Sequence, residues 1–265
     1  KLMGVEVYGL LGVFMSLSAL FILLDMGLST TLSRELSRLS VIENSEQESR
    51  NLVRTFEVVY WLIGIVIGAS VIILAPLIAK YWINSANIST EIIEQTLLIM
   101  GMLLAFQWPR AIYIGGLEGL QRQVLYNVIK TLSMLARHIG AVLILTFISP
   151  SILYFFYWQS VVALITTIVL AVYLWRSLPK SNGRSKFDKN LFIKNWKFVS
   201  GVMGISLGTV LLTQIDKVIL SKMLTLEVFS YYMLATTVAT VIMSLVSPIH
   251  TALFPRLSQL VVKKD

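Results

Sequence analysis

The sequence contains no cysteine and few charged residues. Without cysteine, none of its 265 residues can form a disulfide or provide a thiolate metal ligand. Its two histidines, His138 and His250, lie far apart in the sequence without acidic company, so we interpret them as packing or interfacial residues. We therefore expect no metal site and no cofactor. Only 14% of the residues are charged, against about 25% in a soluble domain, which excludes an ordinary soluble fold.

The sequence is correspondingly rich in apolar residues. They make up 56% of the chain, and the mean hydropathy is +0.78. A helix that crosses a bilayer needs about 20 mostly apolar residues, and seven segments meet this requirement. The sequence predicts an all-α, polytopic transmembrane helical bundle with spans at 8–33, 55–80, 92–117, 124–148, 151–175, 197–221 and 228–254.

The formal net charge of +8 is spread over the loops between these spans. Most Lys and Arg residues lie in alternate loops, around 34–54, 122, 176–197 and 256–264. The opposite loops contain only Lys1, Lys80 and Lys222. An excess of Lys and Arg marks the cytoplasmic loops of a membrane protein, so the first set is predicted to be cytoplasmic. Since the cations form no single patch, we expect no nucleic-acid partner.

Residues 1–39 are repeated at 222–260 without a gap. Lys1 aligns with Lys222 and Glu6 with Glu227, and both copies cross the membrane in the same direction. The repeat predicts two pseudo-symmetric, parallel lobes of a larger transporter. The span before the second copy, 197–221, has no counterpart before residue 1, so we expect this chain to be a fragment.

The longest basic loop divides the predicted lobes. We assign residues 1–178 to an N-terminal lobe of five spans that lacks its first helix. Residues 179–196 form a predicted basic cytoplasmic linker, and residues 197–265 begin the C-terminal lobe with two spans.

Two stretches of the sequence resemble a known family. The segment "EVYGLLGVF…LLDMGLSTTLSREL" resembles the second helix of the polysaccharide-biosynthesis transporters, the O-antigen flippases of the multidrug/oligosaccharidyl-lipid/polysaccharide exporter superfamily. "QIDKVILSKMLTLEVFSYYMLA", together with "ALFPRLSQL", is similar to the start of their second lobe. The resemblance implies twelve or more spans in the bacterial cytoplasmic (inner) membrane. It also implies a non-enzymatic flippase of lipopolysaccharide biosynthesis that moves polyprenyl-diphosphate-linked oligosaccharides from the cytoplasmic to the outer leaflet.

One face of the span at 124–148 collects polar side chains. Asn127, Lys130, Met134 and Arg137 follow one another at spacings of three, four and three, so they share a helix face. Arg137 lies about 20 Å from the cytoplasmic end, and a charge at that depth is a functional candidate. For the diphosphate substrate that the resemblance implies, these cations are candidate headgroup ligands. The alternative is an internal salt bridge from Arg137 to Glu57 or Asp25.

Arg110 is the fourth candidate substrate-binding residue. It follows Pro109, which frees a backbone carbonyl and can kink the helix. The equally weighted alternative is an arginine that reaches the cytoplasmic surface.

Acidic residues within the spans are candidates for coupling or gating. Asp25 and the adjacent pair Asp216 and Lys217 match positions that are usually acidic, or followed by a base, in the resembled family. Asp216 and Lys217 are predicted to point about 100° apart. Since buried carboxylates can titrate near neutrality, Asp25, Glu57 or Asp216 is a candidate for coupling to H⁺ or Na⁺.

The flippase, with lipid-linked oligosaccharide and membrane lipids as partners, is the favoured function. One alternative is an ion-coupled multidrug-type exporter of the same superfamily, which predicts a cavity dominated by carboxylates. A less favoured alternative is a membrane polysaccharide polymerase or glycosyltransferase. We interpret Glu43, Glu46 and Glu48 as a solvated loop rather than the acidic cluster of such an enzyme. A purely structural scaffold leaves Arg137 unexplained.

Overall fold

The computed structural model describes residues 5–22, 25, 27–181 and 183–241, without the side chains of residues 20, 22, 194–207 and 209–211. Helices make up most of these ranges, and the one extended pairing within them is an isolated bridge between Asn84 and Thr225. The prediction of an all-α polytopic bundle is therefore confirmed. The helices are α1 Val5–Ile22, α2 Leu28–Leu39, α3 Glu46–Tyr81, α4 Thr90–Gln107, α5 Arg110–Gly119, α6 Gln123–Phe147, α7 Ile152–Ser177, α8 Lys189–Met223 and α9 Leu226–Val241.

Four helical segments of the described chain are long and apolar enough to cross a membrane. They are α3, the joined pair α4 and α5, α6, and α7, which agree with four of the predicted spans. α3 is longer than predicted, at 36 residues, because its first turn includes Glu46 and Glu48. Carboxylates there complement the unpaired N–H groups of a helix start. The interpretation of Glu46 and Glu48 as loop residues is therefore wrong. Of the last predicted span, 228–254, residues 242–254 lie outside the described part.

The predicted single span at 8–33 is instead two helices, α1 and α2. Gly27, which precedes α2, has a φ of 72°, a left-handed conformation that glycine adopts at little cost. The N–H and the hydroxyl of Thr31 both donate to the Gly27 carbonyl, which starts α2 at this point. The span at 92–117 is likewise divided at Pro109 into α4 and α5, because proline cannot continue the helical hydrogen bonding.

The halves of the two divided spans that are predicted to be cytoplasmic, α2 and α5, pack closely together. A Cβ atom on Gly115 would lie 2.4 Å from the Ser29 carbonyl oxygen, and one on Gly119 would lie 2.4 Å from that of Ser33. The Ser37 hydroxyl also donates to the Gly119 carbonyl at 3.1 Å. Small residues four apart allow such contact between backbones. A core of buried leucines from α2, including Leu32 and Leu36, packs on α3, α5 and α7.

The two copies of the repeat, in α1 and α9, contact each other directly. The Ser230 hydroxyl donates to the Val5 carbonyl at 2.8 Å, and a Cβ atom on Gly9 would lie 2.6 Å from the Leu226 carbonyl. Gly9 aligns with Ser230, and Val5 with Leu226, at the repeat offset of 221. The two contacts are therefore reciprocal, as a local twofold axis between the copies requires.

The loop between α3 and α4 joins both copies at the predicted outer surface. The Glu6 carboxylate accepts hydrogen bonds from Ser85 Oγ and from the backbone N–H groups of Ala86 and Asn87, at 2.7–3.1 Å. The Asn84 carbonyl accepts from the Leu226 N–H at 2.7 Å. One short loop thus holds the start of α1 and the start of α9 together.

Candidate functional site

A cavity of about 270 Å³ lies between α5, α6 and α7. It contains three of the four predicted substrate-binding residues, Arg110, Lys130 and Arg137. The fourth, Asn127, is exposed and lies outside the lining. The lining is completed by Ile114, Tyr126, Ser133, Met134, His138, Thr166 and Leu170.

The regular spacing of α6 builds the cationic wall of this cavity. Tyr126, Lys130 and Arg137 are four and seven residues apart, so they follow one face of the helix. Arg137 is 14 residues from the start of α6 at Gln123, which is about 21 Å along the axis. The opposite wall begins at Arg110, the first residue of α5, which directly follows the break between α4 and α5 at Pro109.

Arg137 makes no ion pair with the described residues. Its Nε and Nη2 atoms are buried and have no hydrogen-bond partner there. No carboxylate of the described chain lies within 4 Å of the guanidinium groups of Arg110 or Arg137. The alternative of a salt bridge from Arg137 to Glu57 or Asp25 is therefore wrong. The cost of burying an unpaired charge is high, which makes this edge of Arg137 the strongest candidate for ligand binding.

Lys130 has a different environment in the same cavity. Its side chain is exposed, and its Nζ lies 5.8 Å from the centroid of the Tyr126 ring. Among the polar residues of the wall, the Thr166 hydroxyl donates to Ser133 Oγ at 2.9 Å. The cavity thus combines three cations with hydroxyl groups and an aromatic ring.

A second cavity, of about 300 Å³, adjoins the first and shares Arg110 and Ile114 with it. Its lining includes Asp25 and Ser29, from the division between α1 and α2, and Trp108, from the division between α4 and α5. The two divided helices therefore meet at one place, which is typical of binding sites in transporters.

Asp25 supplies the negative charge of this second cavity. It accepts hydrogen bonds from the Tyr60 hydroxyl and from Ser29 Oγ, the latter at 2.9 Å. Two further polar atoms, Ser18 Oγ and Trp108 Nε1, are buried in the lining without a partner in the described chain. Asp25 therefore faces a cavity that is lined partly by polar groups.

Glu57 lies outside both linings and has several partners. Its carboxylate is buried and lies 2.8 Å from Arg54 Nη1. It also accepts hydrogen bonds from the Tyr113 hydroxyl at 2.8 Å and from Trp175 Nε1 at 3.2 Å. Since these partners belong to α3, α5 and α7, Glu57 joins three helices.

Asp216 and Lys217 lie on α8, away from both cavities. Although adjacent residues diverge by about 100° around a helix, the flexible lysine stem brings Lys217 Nζ within 3.8 Å of Asp216 Oδ1. Asp216 also accepts a hydrogen bond from the Tyr232 hydroxyl of α9, and Lys217 donates to the Thr213 carbonyl. The pair links α8 to α9.

Several residues of the first cavity were not predicted from the sequence. Tyr126 could have been predicted, because it precedes Lys130 by one helical turn and so lies on the same face of α6. Ser133 and Thr166 meet only through the packing of α6 on α7, which no local pattern reveals. His138, interpreted as a packing or interfacial residue, lines the cavity, whereas His250 lies outside the described residues.

A match to a known protein family spans nearly the whole chain. A family model described as "Polysaccharide biosynthesis protein" matches residues 1–261. The match includes both copies of the repeat and every residue that lines the two cavities. No curated protein and no solved structure matches the chain.

Proposed function

Because the chain belongs to the polysaccharide biosynthesis protein family, we propose that it flips a polyprenyl-diphosphate-linked oligosaccharide across the bacterial cytoplasmic membrane. The cargo is an O-antigen or related surface polysaccharide unit, which moves from the cytoplasmic to the outer leaflet. The family and the long apolar helices together indicate a multi-pass membrane protein of polysaccharide biosynthesis.

The unpartnered edge of Arg137 carries the proposal. Nε and Nη2 lie side by side on a guanidinium group, and this pair of donors fits two oxygens of one phosphate. Arg110 and Lys130 line the same cavity and supply positive charge for a second phosphate. Three cations without acidic partners in the described chain favour a strongly anionic headgroup such as a diphosphate.

The same charge balance argues against the multidrug-type alternative. A pump for cationic drugs needs carboxylates in its substrate cavity, and the lining of the first cavity contains none. Asp25 belongs to the second cavity, where we assign it to H⁺ or Na⁺ coupling rather than to cargo binding. Arg110 lines both cavities. Cargo binding in the first cavity and ion binding in the second can therefore influence each other through this residue.

Alternating access is the mechanism that we propose for the flipping step. The contacts between α1 and α9, and those of the α3–α4 loop, close the predicted outer end. The cationic cavity instead extends to the predicted cytoplasmic side, because its lining on α6 begins at Tyr126, near the cytoplasmic end of that helix, and continues past the middle of the helix to Arg137. This asymmetry supports an outward-closed state, from which the outer contacts must separate to release the cargo.

The test of substrate binding is a flipping assay on the full protein in liposomes. The probe is a polyprenyl-diphosphate-linked saccharide with an NBD label, and dithionite bleaches the label in the exposed leaflet. The double substitution Lys130→Ala and Arg137→Ala is expected to reduce flipping to the protein-free rate while membrane insertion stays normal. Lys80→Ala, which removes an exposed cation outside the cavity, is the control. Normal flipping by the double variant would contradict the proposed headgroup site.

The test of alternating access is a reversible cross-link at the outer end. Cysteine substitutions at Asn84 and Thr225 place two thiols on the isolated bridge of a chain that has no other cysteine. Oxidation is expected to stop flipping, because the outer contacts can no longer separate, and a reductant is expected to restore it. Each single-cysteine variant, treated identically, is the control. Unchanged flipping by the oxidised pair would exclude this opening movement.

A further inference from the structure

The described residues between α7 and α8, 178–181 and 183–188, form an extended strap that lies along the first turns of α3. It carries several long cationic side chains, but none of the hydrogen bonds that hold it to α3 uses them. From this arrangement we propose that the strap is a binding surface for anionic phospholipid headgroups of the cytoplasmic leaflet. This goes beyond the proposed transport, since it concerns the bilayer rather than the cargo.

The strap is held to α3 through its backbone and one serine. The carbonyls of Pro179 and Arg184 accept hydrogen bonds from Arg50 and Gln47, at 3.1 and 3.0 Å. Ser181 Oγ donates to the side chain of Gln47.

Farther along, the strap donates from its backbone. The N–H groups of Lys186 and Asp188 donate to Asn51 Oδ1 and Thr55 Oγ1, each at 2.9 Å. The strap is thus hydrogen-bonded to one face of α3, which consists of Gln47, Arg50, Asn51 and Thr55. Each cationic side chain of the strap remains available for another role.

The position along α3 fixes the depth of the strap at the membrane. The predicted apolar span begins at residue 55, and Gln47 lies eight residues before it, about 12 Å along the helix axis. The headgroup layer of one leaflet is about 5–8 Å thick. The strap therefore runs from the cytoplasmic side through the headgroup layer and reaches the hydrocarbon border beside Thr55.

Four cations at this level have no acidic partner. Lys180, Arg184, Lys186 and Lys189, the last being the first residue of α8, are all exposed. No carboxylate within the described residues lies within 4 Å of their charged groups. The nearest acid in sequence, Asp188, instead caps α8 by accepting from the Asn190 N–H at 2.8 Å.

Phe187 distinguishes a lipid surface from a purely aqueous one. Its side chain is 51% exposed, although it follows Lys186 at the depth of Thr55. An exposed aromatic ring beside lysines at the hydrocarbon border is typical of segments that bind the interface of anionic membranes. A nucleic acid or a cytosolic acidic protein would meet the cations but would give no reason for a ring at this depth.

The test uses the intact purified protein and two lipid probes, phosphatidylglycerol and phosphatidylcholine. Native mass spectrometry counts the molecules of each lipid that the protein retains. The wild type is expected to retain phosphatidylglycerol at least about fivefold better than phosphatidylcholine, with the preference falling in high salt. The double variant Lys180→Gln and Lys186→Gln is expected to lose most of this preference. The double variant Lys80→Gln and Lys222→Gln, with the same change in charge at the predicted outer side, is expected to keep it.

A second measurement reports the strap directly. Phe187→Cys adds one thiol to a cysteine-free chain, and a fluorophore attached there is expected to be quenched by shallow nitroxide-labelled lipids in phosphatidylglycerol nanodiscs. Quenching only by a water-soluble agent would overturn the proposal, as would equal retention of both lipids by the wild type. A preference that survives in the strap variant would place the lipid site elsewhere. These readouts do not depend on flipping, so they succeed or fail separately from the proposed function.

Discussion

Glu57 and Arg137 are ionisable residues within the same helical bundle, but their surroundings are opposite. Glu57 has an ion pair with Arg54 and hydrogen bonds from Tyr113 and Trp175. Arg137 has two buried donor atoms with no partner in the described chain. A charge in a bilayer is costly, and protein partners reduce that cost for Glu57 alone. The difference agrees with a structural role for Glu57 and with the headgroup role that we propose for Arg137.

Replacement of Arg137 by methionine is the strongest test of this contrast. Loss of a bidentate, charge-assisted contact of about 3 kcal/mol is expected to slow flipping by about 100-fold. Removal of an unpaired buried charge is expected to stabilise the fold at the same time, raising the apparent melting temperature by about 2–4 °C. The measurements are flipping in liposomes and thermal unfolding in detergent.

The matched variant Arg137→Lys keeps the charge but loses the planar pair of donors. Its rate of substrate flipping is expected to lie between the rate of the methionine variant and that of the wild type. If the methionine variant is less stable than the wild type, and flips in proportion to the folded fraction, then Arg137 has the structural role that we assign to Glu57.

Glu57→Gln is expected to give the opposite result. The substitution removes the ion pair and weakens the hydrogen bonds from α5 and α7, so we expect a loss of about 2–3 kcal/mol in the free energy of unfolding. Flipping per folded molecule is expected to remain near the wild-type rate. Tyr113→Phe removes one of the same hydrogen bonds and is expected to cost about 1 kcal/mol. A stable Glu57→Gln protein that does not flip would instead return Glu57 to the coupling candidates.

Local patterns were enough to predict the helical class and the cationic wall. Apolar runs of about 20 residues located α3, α6 and α7, and the helical period placed Lys130 and Arg137 on one face. Pro109 was expected to kink its span, and α4 and α5 divide there, whereas Pro76 lies inside α3 without ending it. Each of these features depends on residues that are close together in the sequence.

Features that depend on the folded backbone or on tertiary contacts could not be predicted. Gly27 lies in an apolar stretch that is compatible with one continuous helix, so its left-handed φ of 72° and the start of α2 there are visible only in the structure. The partners of Glu57 come from positions 56 and 118 residues away. Glu57 and Asp25 were therefore grouped only as carboxylates within predicted spans, although Glu57 has partners from three helices and Asp25 lines a cavity.

Asn127 provides the smallest and most specific test of the cavity. The helical spacing grouped it with Lys130 and Arg137, but its side chain is exposed and the lining instead uses its neighbour Tyr126. Adjacent helical residues point about 100° apart, so exchanging one for the other changes which side chain can meet the cargo. Asn127→Ala is expected to change flipping by less than about twofold, the range of an exposed substitution. Tyr126→Ala, measured beside it, is expected to have the larger effect because it removes a wall of the cavity and the ring beside Lys130. If the order is reversed, the cargo follows the exposed face of α6 that contains Asn127, and the contrast between Arg137 and Glu57 no longer identifies the binding site.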